Sequence, residues 1–208
     1  MPSSEFIGAL SPNRLILPVG TVTRPRPGPP YNGSMRIPLM LALAALLAAC
    51  SPEQNWRQVT FEGTTLKVQL PCKPDRTSRE VPLGGMPVPL AVAGCESGGA
   101  MLAVMTAALP AGADAQAVLS GWQQATLTNL QAGSPAQSEA WTRAGMLPLA
   151  SAQRIQVQGR RADGQPVVAQ AVWGAFTEGE HLRVVHAVVY AGKAVPELAQ
   201  GLFDGVQR

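Results

Sequence analysis

Charge is scarce in this chain. Charged residues fill 14% of its 208 positions, against about 25% in an average globular protein. Hydrophobic residues reach 46%, so the pairing of high net charge with low hydrophobicity that keeps chains disordered is missing. The formal net charge of +3 comes from one end. Residues 1–49 hold Arg14, Arg24, Arg26 and Arg36 against Glu5, which leaves 12 basic and 12 acidic residues for the rest. Without that front end the protein is neutral, and no nucleic-acid partner is expected. Cysteine occurs three times, too rarely for a disulfide-dense miniprotein. Histidine occurs twice. There is no G-x-S-x-G elbow, H-E-x-x-H pair or Walker loop. No catalytic residue, metal ligand or cofactor is therefore assigned.

A long hydrophobic run is also lacking. The longest apolar stretch, 37–49, is 13 residues, which as a helix spans roughly 20 Å. The hydrocarbon core of a bilayer is about 30 Å thick. Arg36 precedes the run and small residues close it, the pattern of a signal-peptide h-region. Residues 1–34 carry seven prolines and Gly8, Gly20, Gly28 and Gly33, too many breakers for helix or sheet. Met35, directly before Arg36, would start a conventional signal peptide. Residues 1–34 are thus read as an over-called or disordered leader and 35–49 as the signal peptide.

The run ends in Leu47-Ala48-Ala49-Cys50, which resembles the lipobox of bacterial lipoprotein precursors. The resemblance implies that Cys50 receives a diacylglyceryl group on sulfur. Cleavage before it makes Cys50 the mature N-terminus, which is then usually acylated, palmitate being a typical chain. Several acyl chains, at about 0.8 kcal/mol per buried CH₂, give a stable membrane anchor. Ser51, in place of the aspartate that retains such precursors in the inner membrane, implies the outer membrane, facing the periplasm.

Residues 50–55 form a lipidated polar tether, and 56–208 one α+β domain. Strands are expected at 57–61 and 64–70, a hairpin around Glu62-Gly63. Further strands are expected at 78–83, 88–96 and 101–109, separated by Gly84-Gly85 and Gly98-Gly99. A helix over 114–131 starts at the N-cap Asp114 and carries Val118, Leu119, Trp122, Ala125 and Leu130 on one face, with Gly133 to end it. Residues 133–149 read as a loose connection containing Trp141. Strands at 152–158, 166–176 and 182–191 follow, with Asp163-Gly164 and Glu178-Gly179 as turns. The chain closes with an amphipathic helix over 195–206, whose apolar residues recur at helical spacing from Val195 to Val206.

This order predicts a mainly antiparallel sheet with covering helices. Together with an early Trp56, the Leu70-Pro71 strand end and the closing helix, it resembles the PsbP-like α/β/α sandwich. That resemblance implies a small envelope lipoprotein without catalysis, although fold alone says little about task.

Cys72 and Cys95 lie at the ends of neighbouring strands. In an oxidising compartment such a pair forms a disulfide; free thiols, or metal or redox work, are the alternatives. His181 and His186, five apart on one strand, face opposite sides. The first sits at a hairpin tip and the second among valines. Arg154, Arg160, Arg161 and Arg183 form either a patch for anionic lipid or polymer or a solvated edge that discourages strand pairing. Trp122 and Trp173 read as core. The function expected is a membrane-anchored, non-catalytic lipoprotein, an adaptor or assembly accessory with an envelope protein partner. The alternative is a carrier of a small apolar ligand, with a hydrolase behind it.

Overall fold

A computed structural model describes residues 54–208. The leader, the signal peptide and Cys50 lie outside the described residues. Asn55, the second described residue, is already tied to the domain, because its N–H donates to the Pro71 carbonyl at 2.9 Å.

The strands are β1 (Arg57–Thr60), β2 (Lys67–Leu70), β3 (Asp75–Leu83), β4 (Met86–Ser97), β5 (Ala100–Ala108), β6 (Gln137–Ala140), β7 (Gln153–Arg160), β8 (Pro166–Glu178) and β9 (His181–Ala191). The helices are α1 (Ala115–Asn129) and α2 (Pro196–Asp204). β1 and β2 form a separate two-stranded antiparallel sheet. The other seven strands form one antiparallel sheet in the order β3-β4-β5-β9-β8-β7-β6. It is built from two meanders. β3 to β5 run as hairpins, α1 carries the chain to the far edge, and β6 to β9 return until β9 pairs with β5. The architecture is α+β, as the element order implies.

Two of the hairpins turn on glycine pairs. Gly84-Gly85 and Gly98-Gly99 all have positive φ and join Leu83 to Met86 and Ser97 to Ala100. Two consecutive left-handed residues are what a two-residue type I′ loop requires, and its twist matches that of the strands.

Alternation along the strands supplies two cores, one on each face of the large sheet. Val172 and Phe176 of β8 join Leu102, Val104 and Val185 under α2 and the β1–β2 hairpin. Ala169, Ala171, Trp173 and Ala175 join Ile155, Val157 and Val188 under α1. α2 buries Leu198, Ala199, Leu202 and Phe203; each large side chain contributes about 1.5–3 kcal/mol when removed from water. Gly201 of α2 leaves room for Trp56, whose ring would lie 2.6 Å from an added Cβ.

Three local expectations differ from the structure. α1 does not end at Gly133. Its last turn closes at Gln131, with φ of 49°, where the Gln131 and Ala132 N–H groups donate to the Thr128 and Leu127 carbonyls at 3.0 and 2.9 Å. That is a Schellman ending with glutamine in the left-handed position. Ala125 is exposed, and Thr126 takes the inward place, its hydroxyl donating to the Trp122 carbonyl at 2.9 Å. Residues 133–149 are not all loop: β6 pairs with β7. Every β6 residue is exposed, so the strand has no hydrophobic alternation to reveal it.

Candidate functional site

Cys72 and Cys95 are joined in a disulfide with Cα atoms 6.0 Å apart. The register explains the meeting. Asp75 at the start of β3 lies opposite Gly94 of β4, so the chain just before β3 runs beside Cys95. The bond fastens the segment after the small sheet to the large one.

The histidines stand on opposite faces of β9, as the spacing predicts. His181 is exposed at the β8–β9 turn. His186 is buried, at 1% exposure. Its ring stacks on Trp173 at 4.3 Å between centroids and meets Trp122 edge-on at 5.2 Å. Nδ1 is 3.0 Å from the Val172 carbonyl oxygen. Desolvation holds the imidazole neutral and drops its pKa from 6.5 to about 4, with the Val172 contact opposing the shift. A ring sealed between two indoles cannot meet a substrate. Trp122 and Trp173 are core residues that enclose it.

The four arginines do not form one patch. Arg160 lies opposite Pro166 and Arg183 opposite Phe176. Those β8 positions are ten residues apart, roughly 33 Å along a strand. Arg154 is engaged with α2: it donates to Gln200 Oε1 at 2.7 Å and lies over the Phe203 ring at 5.2 Å. The edge reading also needs correction at Arg154, because β6 covers β7 from Gln153 to Gln156. Arg160 lies beyond that cover.

Arg183 belongs instead to a hub that the sequence did not disclose. Its Nε donates to Glu178 Oε2 at 2.8 Å, and its Nη2 donates to the Gly63 carbonyl at 2.8 Å. Glu178 Oε1 accepts from the Thr64 and Thr65 hydroxyls at 3.0 and 2.8 Å and from the Thr65 N–H. Burial pushes the Glu178 pKa up, but the hydrogen bonds from Thr65, Thr64 and Arg183 outweigh it and the net shift is downward. Thr65 and Glu178 are separated by 113 positions, so no local pattern could have paired them. The hub clamps the β1–β2 loop to the β8–β9 turn. Glu178→Gln keeps the shape but loses the charge, and is expected to cost about 1–2 kcal/mol, the scale of hydrogen bonds to a partly exposed charged group. Urea unfolding measures it; an unchanged midpoint would show that the clamp adds nothing.

Two open grooves mark the surface. One is a hollow of about 410 Å³ beside Trp56, with Gln54, Gln69, Glu197 and Asp204 around it. The other, of about 570 Å³, lies at the end of β7 that β6 does not reach, between that strand and residues 192–194. Gln131, Gln156, Gln158, Arg160 and Lys193 supply its polar groups. Arg160 is among the arginines named from the sequence, and Gln156 and Gln158 alternate with the buried Ile155 and Val157, a period-2 pattern that sequence alone can show. Nothing in the sequence signalled that Lys193 and Gln131 would join them. Met101, at 43%, is the one large hydrophobic residue exposed among the described residues.

No protein-family model and no curated protein matches this chain, so its functional reading rests on its own residues and their geometry.

Proposed function

We propose that this chain is the precursor of a lipid-anchored protein of the bacterial cell envelope, whose α+β domain serves as a non-catalytic adaptor or assembly accessory. The observation that carries the proposal is the Cys72–Cys95 disulfide downstream of Leu47-Ala48-Ala49-Cys50. Structural disulfides persist in oxidising compartments, and a lipobox addresses a protein to one. Ser51 favours the outer membrane, facing the periplasm. A PsbP-like sandwich is the finer fold reading, supported by α1 on one face of the sheet and α2 with the β1–β2 hairpin on the other.

The non-catalytic role is supported by the enclosure of His186 between Trp122 and Trp173 and by the absence of a nucleophile–base motif in the sequence. The apolar-ligand carrier gains no support from the two grooves, which are open and carry polar side chains. An envelope protein partner, and no nucleic acid, fits a domain with balanced charge.

The test is the mass of the protein purified from membranes. A mature chain beginning at a lipid-modified Cys50 is expected. Cys50→Ser should accumulate as unprocessed precursor, because serine cannot form the thioether. Unmodified Cys50 in a chain that still begins at Met1 or Met35 would overturn the anchor.

A further inference from the structure

We infer that the groove at the end of β7 is a binding site for an acidic saccharide. The register builds it. Val168 of β8 lies opposite both Gln158 of β7 and Ala191 of β9, and Gln156 lies opposite Gln170. Side chains two residues apart on a strand share a face. Gln156, Gln158 and Arg160 therefore stand in a row on the face that carries α2, and Lys193, two positions beyond Ala191, closes the far side. Farther along the same row, Arg154 is taken up by Gln200 and Phe203 of α2. Gln158 and Arg160 lie beyond that contact and are exposed; Arg160 Nη1 donates to the Gly164 carbonyl at 3.1 Å, and a guanidinium has four further N–H donors.

The lining decides the ligand class. It contains an arginine and a lysine and no carboxylate, although the chain beyond residue 49 has 12 residues of each sign. The nearest acid on the adjoining turn, Asp163, accepts the Gln165 N–H at 3.0 Å. Three glutamine amides line the same groove, and each offers both donors and an acceptor. Adjacent donors and acceptors match the hydroxyl pairs of a sugar, and the two cations match a carboxylate. Pro166 and Val168 add apolar surface for the C–H face of a ring. The volume, about 570 Å³, lies within the range of small-ligand sites.

Other occupants fit less well. A single-stranded nucleic acid would use stacking rings, and no aromatic residue lines the groove. A peptide strand added to the edge of β7 would need its free backbone. The Gln156 carbonyl already accepts the Ala136 N–H at 2.9 Å, and the Arg160 N–H already donates to the Leu130 carbonyl at 2.7 Å. Gly159 permits this second closure, since a Cβ there would lie 2.5 Å from the Leu130 oxygen. Those two contacts flank Gln158 and interrupt the edge on either side of it, so no continuous run of free backbone remains for a strand to pair with.

This inference does not depend on the lipid anchor. Calorimetric titration of the purified full-length protein with trigalacturonic acid tests it, beside a neutral galactose trimer and inorganic phosphate. Trigalacturonic acid is expected to bind at least 10-fold more tightly than the neutral trimer. Arg160→Gln with Lys193→Gln should weaken it at least 10-fold, and Gln156→Ala with Gln158→Ala should weaken both trimers. Unfolding midpoints close to that of the parent would certify that these surface variants fold. No binding of the acidic trimer, equal binding of the two trimers, or indifference to the charge-removing pair would overturn the site. Phosphate competing as well as the trimer would reduce it to a simple anion site and overturn the saccharide assignment. None of these failures touches the lipid on Cys50, which is read by mass.

Discussion

Replacing Cys72 and Cys95 together by alanine is expected to lower the stability of the domain by about 3 kcal/mol while leaving it folded. The bond joins residues 23 apart in sequence. Opening a loop of that size returns roughly 3 kcal/mol of chain entropy to the unfolded state. In a domain of this size each kcal/mol moves the melting temperature by about 2–4 °C, so a drop on the order of 10 °C is expected. The fold should survive because the disulfide is not the sole tie on the small sheet. Val59, Phe61, Leu66, Val68 and Leu70 are buried in the core under α2. Lys67 and Gln207 exchange two backbone hydrogen bonds of 2.8 Å, and Glu178 holds Thr64 and Thr65. Thermal unfolding with far- and near-ultraviolet circular dichroism checks both halves. An unchanged midpoint would leave the bond without a structural role. Loss of the near-ultraviolet signal at low temperature would show that the cores do not suffice.

The second large effect is acid sensitivity centred on His186. In the unfolded chain its pKa is near 6.5, and in the folded protein burial lowers it to about 4. Between those values the unfolded state takes up a proton that the folded state refuses, so stability rises with pH. The contribution is fully present above about pH 6.5 and is lost progressively as the pH falls toward 4. The span corresponds to roughly 3 kcal/mol. Glu178 adds a separate loss at lower pH, because its folded pKa is depressed below the ordinary 4.5. Tyr190, on the same face of β9, has its pKa pushed up to about 12 by burial and stays neutral throughout. The window from pH 6.5 to 4.5 therefore isolates the histidine. Urea unfolding across that window should show a falling midpoint in the parent protein. His186→Asn, which does not titrate there, should be weaker at pH 7 but nearly flat with pH. An equal acid slope in the variant would place the sensitivity elsewhere.

Local chemistry made much of the fold legible. Asp114 was readable as a cap because a carboxylate before an apolar run satisfies free N–H groups, and its Oδ1 accepts from Gln116 and Ala117 at 2.9 and 3.3 Å. The glycine pairs at 84–85 and 98–99 were readable as turns because few other residues adopt positive φ twice in succession. The closing helix was legible from its spacing alone. β6 was not, because an exposed edge strand carries no burial pattern. The end of α1 was not, because Gln131 is held left-handed by hydrogen bonds rather than by its own preference.

The candidate site divides in the same way. By itself the sequence determined the residue types and their alternation: the two late glutamines on one face of a strand, two histidines on opposite faces, two cysteines at strand ends, and the apolar run before Cys50. Each follows from contacts between near neighbours along the chain, where periodicity and turn chemistry act. Only the tertiary structure decided which distant groups meet. It separated Arg160 from Arg183 to opposite ends of β8, closed two indoles around His186, brought Thr65 to Glu178, and set Lys193 in the same groove as the β7 glutamines. Those meetings depend on strand order and register, which are settled by burying both faces of the sheet at once, and no short stretch of sequence contains that constraint.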